Sequence, residues 1–190
     1  MERSSVLITS LVAIAIVFTV DVIYVGVINS QGPPPDLYTP RFVASYLAVL
    51  GALVVVSLVP RHEIAVIRVP LRAAAAAGLL VVVFVSAFSI GPPLALAGFL
   101  VFFALVRTAR PPGSVPRWSG LVAAALAVVL LIGGFEVTQR LIVCPASGQL
   151  SVDGSGFVTG PYHYECVDGA LHWRSEIRRF DQNARIDVGR

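Results

Sequence analysis

The distribution of apolar positions along the chain is dominated by long runs rather than by alternation. A spanning helix needs about 20 mostly apolar residues, because each adds about 1.5 Å against about 30 Å of hydrocarbon. Runs of this kind cover residues 6–28, 42–59, 71–90 and 118–137. A shorter run, 92–106, follows the Gly91-Pro92-Pro93 break. Thirteen residues counted from Leu94 fall short of a span, but Pro92 and Pro93 suit the first turn of a helix, where a missing N–H costs nothing. Local bilayer thinning then covers the remaining shortfall. The first run is too long for the apolar core of a signal peptide, and no small-x-small cleavage site precedes the polar loop, so it reads as a retained anchor.

Composition agrees with the pattern. Of the 190 residues, 56% are hydrophobic and 13% charged, with mean hydropathy +0.83. A soluble domain carries about 45–50% apolar and about 25% charged residues. This chain has too few charges to solvate a globule and is too apolar for disorder. The expected fold is therefore an all-α integral membrane bundle of five transmembrane helices over residues 1–143, followed by a small extracytoplasmic domain over 144–190.

The charge pattern sets the expected orientation. Net charge is +3, and all fourteen basic residues are arginine. Together with the Ala, Val, Gly and Pro content, that points to a GC-biased bacterial origin. A basic pI of about 9.2 often accompanies nucleic-acid binding, but most of these arginines flank apolar runs, so no nucleic acid is expected. With five spans and the N-terminus inside, Arg3, Arg61, Arg68, Arg72, Arg107, Arg110 and Arg117 are cytoplasmic, against Arg41 and Arg140 outside. This is a positive-inside bias. The cysteines agree, since Cys144 and Cys166 both follow the last run and an odd number of spans puts them where a disulfide persists. The expected location is a plasma membrane, with the lipid bilayer as one partner and the C-terminus outside.

Apolar surface does not drive association in lipid, so helix contacts need small side chains. Ala44, Ala48 and Ala52 form one stripe, Ala73 to Ala77 with Gly78 a second, and Gly120, Ala123, Ala124 and Ala127 a third, with Gly133 and Gly134 beyond. These faces serve either the bundle itself or the docking of another membrane subunit.

Two carboxylates interrupt the apolar runs. Asp21 and Glu136 both fall in the outer third of outward-running helices, where an ionisable group costs about 2–3 kcal/mol and finds a partner or lines a wet cavity. One reading is a shared proton or cation site, with Tyr24, Thr138 and Gln139 nearby. The other is local pairing, Glu136 with Arg140 one turn on and Asp21 with Arg41. No histidine lies in a run, which disfavours a bis-His haem, and the Walker, G-x-S-x-G, H-E-x-x-H and C-x-x-C patterns are missing. No cofactor is expected, and an enzyme is disfavoured.

After Cys144 the pattern changes to alternation. Tyr162–Val167 and Ala170–Ser175 flank Asp168-Gly169, a strong hairpin signal. Pairing outward sets Cys166 opposite Leu171, Glu165 opposite His172, Tyr164 opposite Trp173 and His163 opposite Arg174. One face is then Tyr162, Tyr164, Cys166, Leu171 and Trp173, which a Cys144–Cys166 bridge would staple. Residues 149–153 and 156–159 suit one or two further strands around a 154–156 turn. His163, Glu165 and His172 on the other face are weak metal-ligand candidates, read mainly as a solvated face with a Glu165–His172 pair. The last residues, 175–190, mix charge with Ile177, Phe180, Ile186 and Val188 and suit a partner contact.

Three functions follow. The first expectation is a non-catalytic accessory subunit or assembly factor of a larger membrane complex, so that other membrane-protein subunits are its partners. The second is ion, proton or small-solute transport through Asp21 and Glu136. The third is extracytoplasmic thiol-redox or metal handling, disfavoured because the cysteines are widely separated in sequence.

Overall fold

A computed structural model describes residues 4–30, 38–86, 90–108, 116 and 118–175. Arg3, Arg110, Arg117 and the apolar residues of 176–190 lie outside the described residues. Among the described residues, five helices precede three strands: α1 (Ser4–Ser30), α2 (Tyr38–Leu58), α3 (His62–Val85), α4 (Gly91–Arg107), α5 (Trp118–Thr138), β1 (Gln149–Gly156), β2 (Gly160–Val167) and β3 (Ala170–Ser175). Four helices are long and apolar enough to cross a membrane; α4, at 17 residues, is shorter. Its two prolines occupy the first turn, as their missing donors permit.

One unit comprises residues 1–32 and 43–131, the other 33–42 and 132–190. Within the first unit, α3 is its most enclosed helix in the stretch Arg72 to Ala76, where every residue is buried. It packs on α4, which in turn packs on α1. A small residue also lets α2 side chains approach α3: a Cβ on Gly78 would stand 2.7 Å from both the Tyr46 hydroxyl and a Leu50 methyl of α2. Tyr46 also donates a 2.7 Å hydrogen bond to the carbonyl of Ala127 on α5, so its polar end is satisfied among apolar neighbours.

The helix expected over 71–90 begins nine residues earlier, at His62, and closes at Val85. Pro70 sits inside it. Arg68 and Arg72, read from the sequence as loop or boundary charges, are helical. Their four-residue spacing places both on one face.

The second unit holds the sheet, in the order β1-β2-β3 with both pairs antiparallel. The β2–β3 register is the one the sequence predicts, with Cys166 opposite Leu171, Glu165 opposite His172, Tyr164 opposite Trp173 and His163 opposite Arg174. Asp168 (φ 47°) and Gly169 (φ 84°) are both left-handed, which the two-residue turn requires and Asp-Gly supplies. The β1 side differs. The sequence suggests a turn at 154–156, but β1 is continuous to Gly156 and the turn falls at 157–159, between the paired Gly156 and Gly160. Tyr162, Tyr164 and Cys166 form the core of this sheet, with Ile142, Cys144, Leu150 and Val152 packed around it.

Candidate functional site

The polar side chains that the sequence marks as out of place fall into separate groups. Glu136 is near the C-terminal end of α5 and is 12% exposed. Its Oε1 accepts from the Val158 amide at 2.5 Å and the Thr159 amide at 3.4 Å. Oε2 accepts from the Thr159 hydroxyl at 3.1 Å, and Arg140 stands 3.9 Å away. The expected i,i+4 pair is therefore present, but the stronger partners are the donors of the β1–β2 turn. Gly156 permits this approach, since a Cβ there would stand 2.9 Å from Oε1. Phe157 from the turn meets Phe135 edge-on at 6.3 Å, and Phe135 meets Phe42 at 5.8 Å. Nothing in the sequence at 157–159 signals this clamp, because the contact spans 22 residues of chain.

Cys144 and Cys166 are joined in a disulfide with Cα atoms 5.5 Å apart. Beside it lies an aromatic stack: Trp173 is 4.4 Å from Tyr162, at 18°, and 6.3 Å from Tyr164, at 5°. Trp173 is 37% exposed, whereas the two tyrosines are buried. A hollow of about 240 Å³ opens beside Tyr162 and Tyr164, lined also by Thr39, Gln139, Val152 and Asp153.

The polar face of the sheet places His163 Nδ1 at 2.7 Å from Asp153 Oδ1 and Nε2 at 3.4 Å from the Ser151 hydroxyl. Gln149 donates to Glu165 at 2.5 Å. His172 is opposite Glu165 in register and exposed. Among the described residues, no group of three or more His, Cys, Asp and Glu side chains is placed to hold a metal ion.

Asp21 is in the first unit, in α1, and its Oδ1 is buried without a hydrogen-bond partner. Arg41 belongs to the second unit, near the start of α2. The sequence marks Arg72 only as a cytoplasmic charge, not as a buried one. It is fully buried, and its Nε and Nη1 donate to the hydroxyls of Ser57 at 3.1 Å and Thr108 at 2.5 Å. Arg68, one turn earlier, donates to the carbonyl of Val59 at 3.3 Å.

A groove of about 450 Å³ runs between α3, α4 and α5. Its floor is small: Ala73, Ala76 and Ala77 on one side, Gly120 and Ala124 on the other. The Ala44/Ala48/Ala52 stripe on α2 is also not enclosed, being half-buried to exposed. Neither a protein-family model, nor a curated protein, nor a solved structure matches this chain.

Proposed function

We propose that this chain is a five-span membrane protein, N-terminus inside and C-terminus outside, acting as a non-catalytic accessory subunit or assembly factor. The observation that carries the reading is the open groove between α3, α4 and α5. In a bilayer, small-residue surfaces are where helix backbones come within van der Waals reach. Ala73, Ala76, Ala77, Gly120 and Ala124 line it beside bulkier residues such as Leu80 and Phe102, and the occupant proposed for it is a transmembrane helix of a partner subunit. The chemistry-bearing groups support a structural role too: Glu136 holds the hairpin turn, Arg72 holds two helix ends, and both cysteines form one bridge.

Filling the groove tests this. A Cβ on Gly120 would meet Ala73 and Val69 at 3.6 and 3.7 Å, ordinary contact distances, so a methyl fits there without disturbing the bundle. Gly120→Ala with Ala124→Leu should leave the protein folded in mild detergent but abolish stoichiometric recovery of its partner subunit. A native mass spectrum showing only the bare monomer, for the unaltered protein as for the variant, would refute the reading.

Asp21 favours a second reading, proton or cation transfer, because a buried carboxylate oxygen without a hydrogen-bond partner is costly to keep in an apolar span. Asp21→Asn in proteoliposomes should then abolish flux. Flux that persists at the unaltered rate, or that neither protein shows, removes this reading.

A further inference from the structure

We infer that the β1–β2 turn is a membrane-inserted element, seated in the leaflet at the C-terminal end of α5 with Phe157 and Val158 in contact with lipid. The inference rests on α5 spanning the bilayer. That helix has 21 residues from Trp118 to Thr138, a rise of about 30 Å, which is the thickness of the hydrocarbon. Glu136 stands two residues before its end, at the inner edge of the lipid interface. The Val158 and Thr159 amides hydrogen-bond to that carboxylate, so the turn lies at the same level.

Two further features point to lipid as what surrounds the turn. Phe157 and Val158 are 55% and 73% exposed, and Val137, on the last turn of α5, is 61% exposed. Hydrophobic side chains at a turn tip are costly in water but stable against acyl chains. The backbone supplies the second argument. A turn leaves N–H groups outside the ladder, and at this depth water is not there to take them. A carboxylate from the neighbouring helix takes two N–H groups and a hydroxyl instead. The same contact explains why an acid sits so near the end of an apolar helix. Arg140, whose side chain is 60% exposed, extends its charge toward the headgroups. Phe42, Phe135 and Phe157 form an apolar aromatic cluster at this level.

Spin labelling of the full chain in phosphatidylcholine nanodiscs tests the inference, because the native cysteines are bridged and an added thiol is labelled selectively. Labels are placed at Val158→Cys, at Leu130→Cys on the exposed side of α5, and at Ala170→Cys near the other turn of the sheet. Collision with oxygen, relative to a water-soluble nickel chelate, reports lipid depth. At position 158 this ratio should lie below that at 130, which is about 9 Å deeper, and several-fold above that at 170. It should fall toward the value at 170 when Glu136→Ala is added.

Nickel access at 158 equal to that at 170, with 130 still shielded, would overturn the insertion and leave the span intact. Nickel access at 130 as well would overturn the span and the insertion with it. Low collision with both reagents at 158 would mean that protein covers the turn, and would also overturn the inference. A ratio at 158 unmoved by Glu136→Ala would refute the role given to the carboxylate.

Discussion

Replacing Cys144 and Cys166 together with serine should open the C-terminal sheet to protease on the order of 100-fold faster than in the bridged protein, while the helices stay resistant. The bridge closes a loop with a sequence separation of 22, and a loop of that size limits the denatured chain by about 3 kcal/mol in the chain-entropy account. Few other contacts make up the deficit. The sheet's core is three buried side chains, Tyr162, Tyr164 and Cys166, and a small sheet of this kind is marginal without a staple. Cleavage follows the population of the open form when reclosing is fast, so a loss of about 3 kcal/mol appears as the stated rate increase. Trp173 provides a parallel optical readout, since it stacks on Tyr162 at 4.4 Å; Trp118→Phe removes the other indole signal. Its emission should shift to the red as the stack disperses. Equal cleavage rates and an unchanged spectrum would mean that the aromatic core and the Glu136 contacts hold the sheet without the bridge.

What could be read from the sequence depended on the range of the interaction. The apolar runs and the Asp168-Gly169 turn are local signals, and the structure contains all five helices and the predicted β2–β3 register. Gly154 misled for a physical reason. Read as turn material, it is instead a strand residue opposite Tyr162, and the missing side chain leaves space that the Tyr162 ring occupies. The start of α3 was hidden because His62, Glu63, Arg68 and Pro70 interrupt the apolar pattern, although a membrane helix tolerates a proline when its neighbours compensate. Glu136 showed its local partner Arg140 by spacing but not its contacts with Val158 and Thr159, which only the folded sheet creates. Arg72 was counted with the charges that orient the chain, because nothing near it in sequence indicates that Ser57 and Thr108 converge on it.

That buried arginine carries the other large expected effect. Arg72 is eleventh in α3, more than two turns from the helix start. From there its guanidinium reaches the last turn of α2 at Ser57 and the residue capping α4 at Thr108. Both hydroxyls pass the interaction on: Ser57 donates to the Val54 carbonyl and Thr108 to the Ala104 carbonyl, each at 2.7 Å. A cation is thus set at two helix C-termini, where the exposed carbonyls and the helix dipole favour positive charge. Hydrogen bonds from a charged donor contribute about 1.5–3 kcal/mol each, so losing both in Arg72→Ala should destabilise the bundle by about 3 kcal/mol or more. Denaturant titration in mixed micelles would measure it. Arg72→Lys should fall between, because one ammonium cannot match the planar spread of donors that meets two hydroxyls at once. Arg72→Met separates charge from volume. Removing a buried charge also removes its desolvation cost, and a well-packed apolar replacement is sometimes neutral. Here the methionine would leave the Ser57 and Thr108 hydroxyls without their charged donor, so at least half of the alanine loss should persist. A methionine variant as stable as the unaltered protein would show that Arg72 acts by filling space, and that the ends of α2 and α4 are held by packing alone.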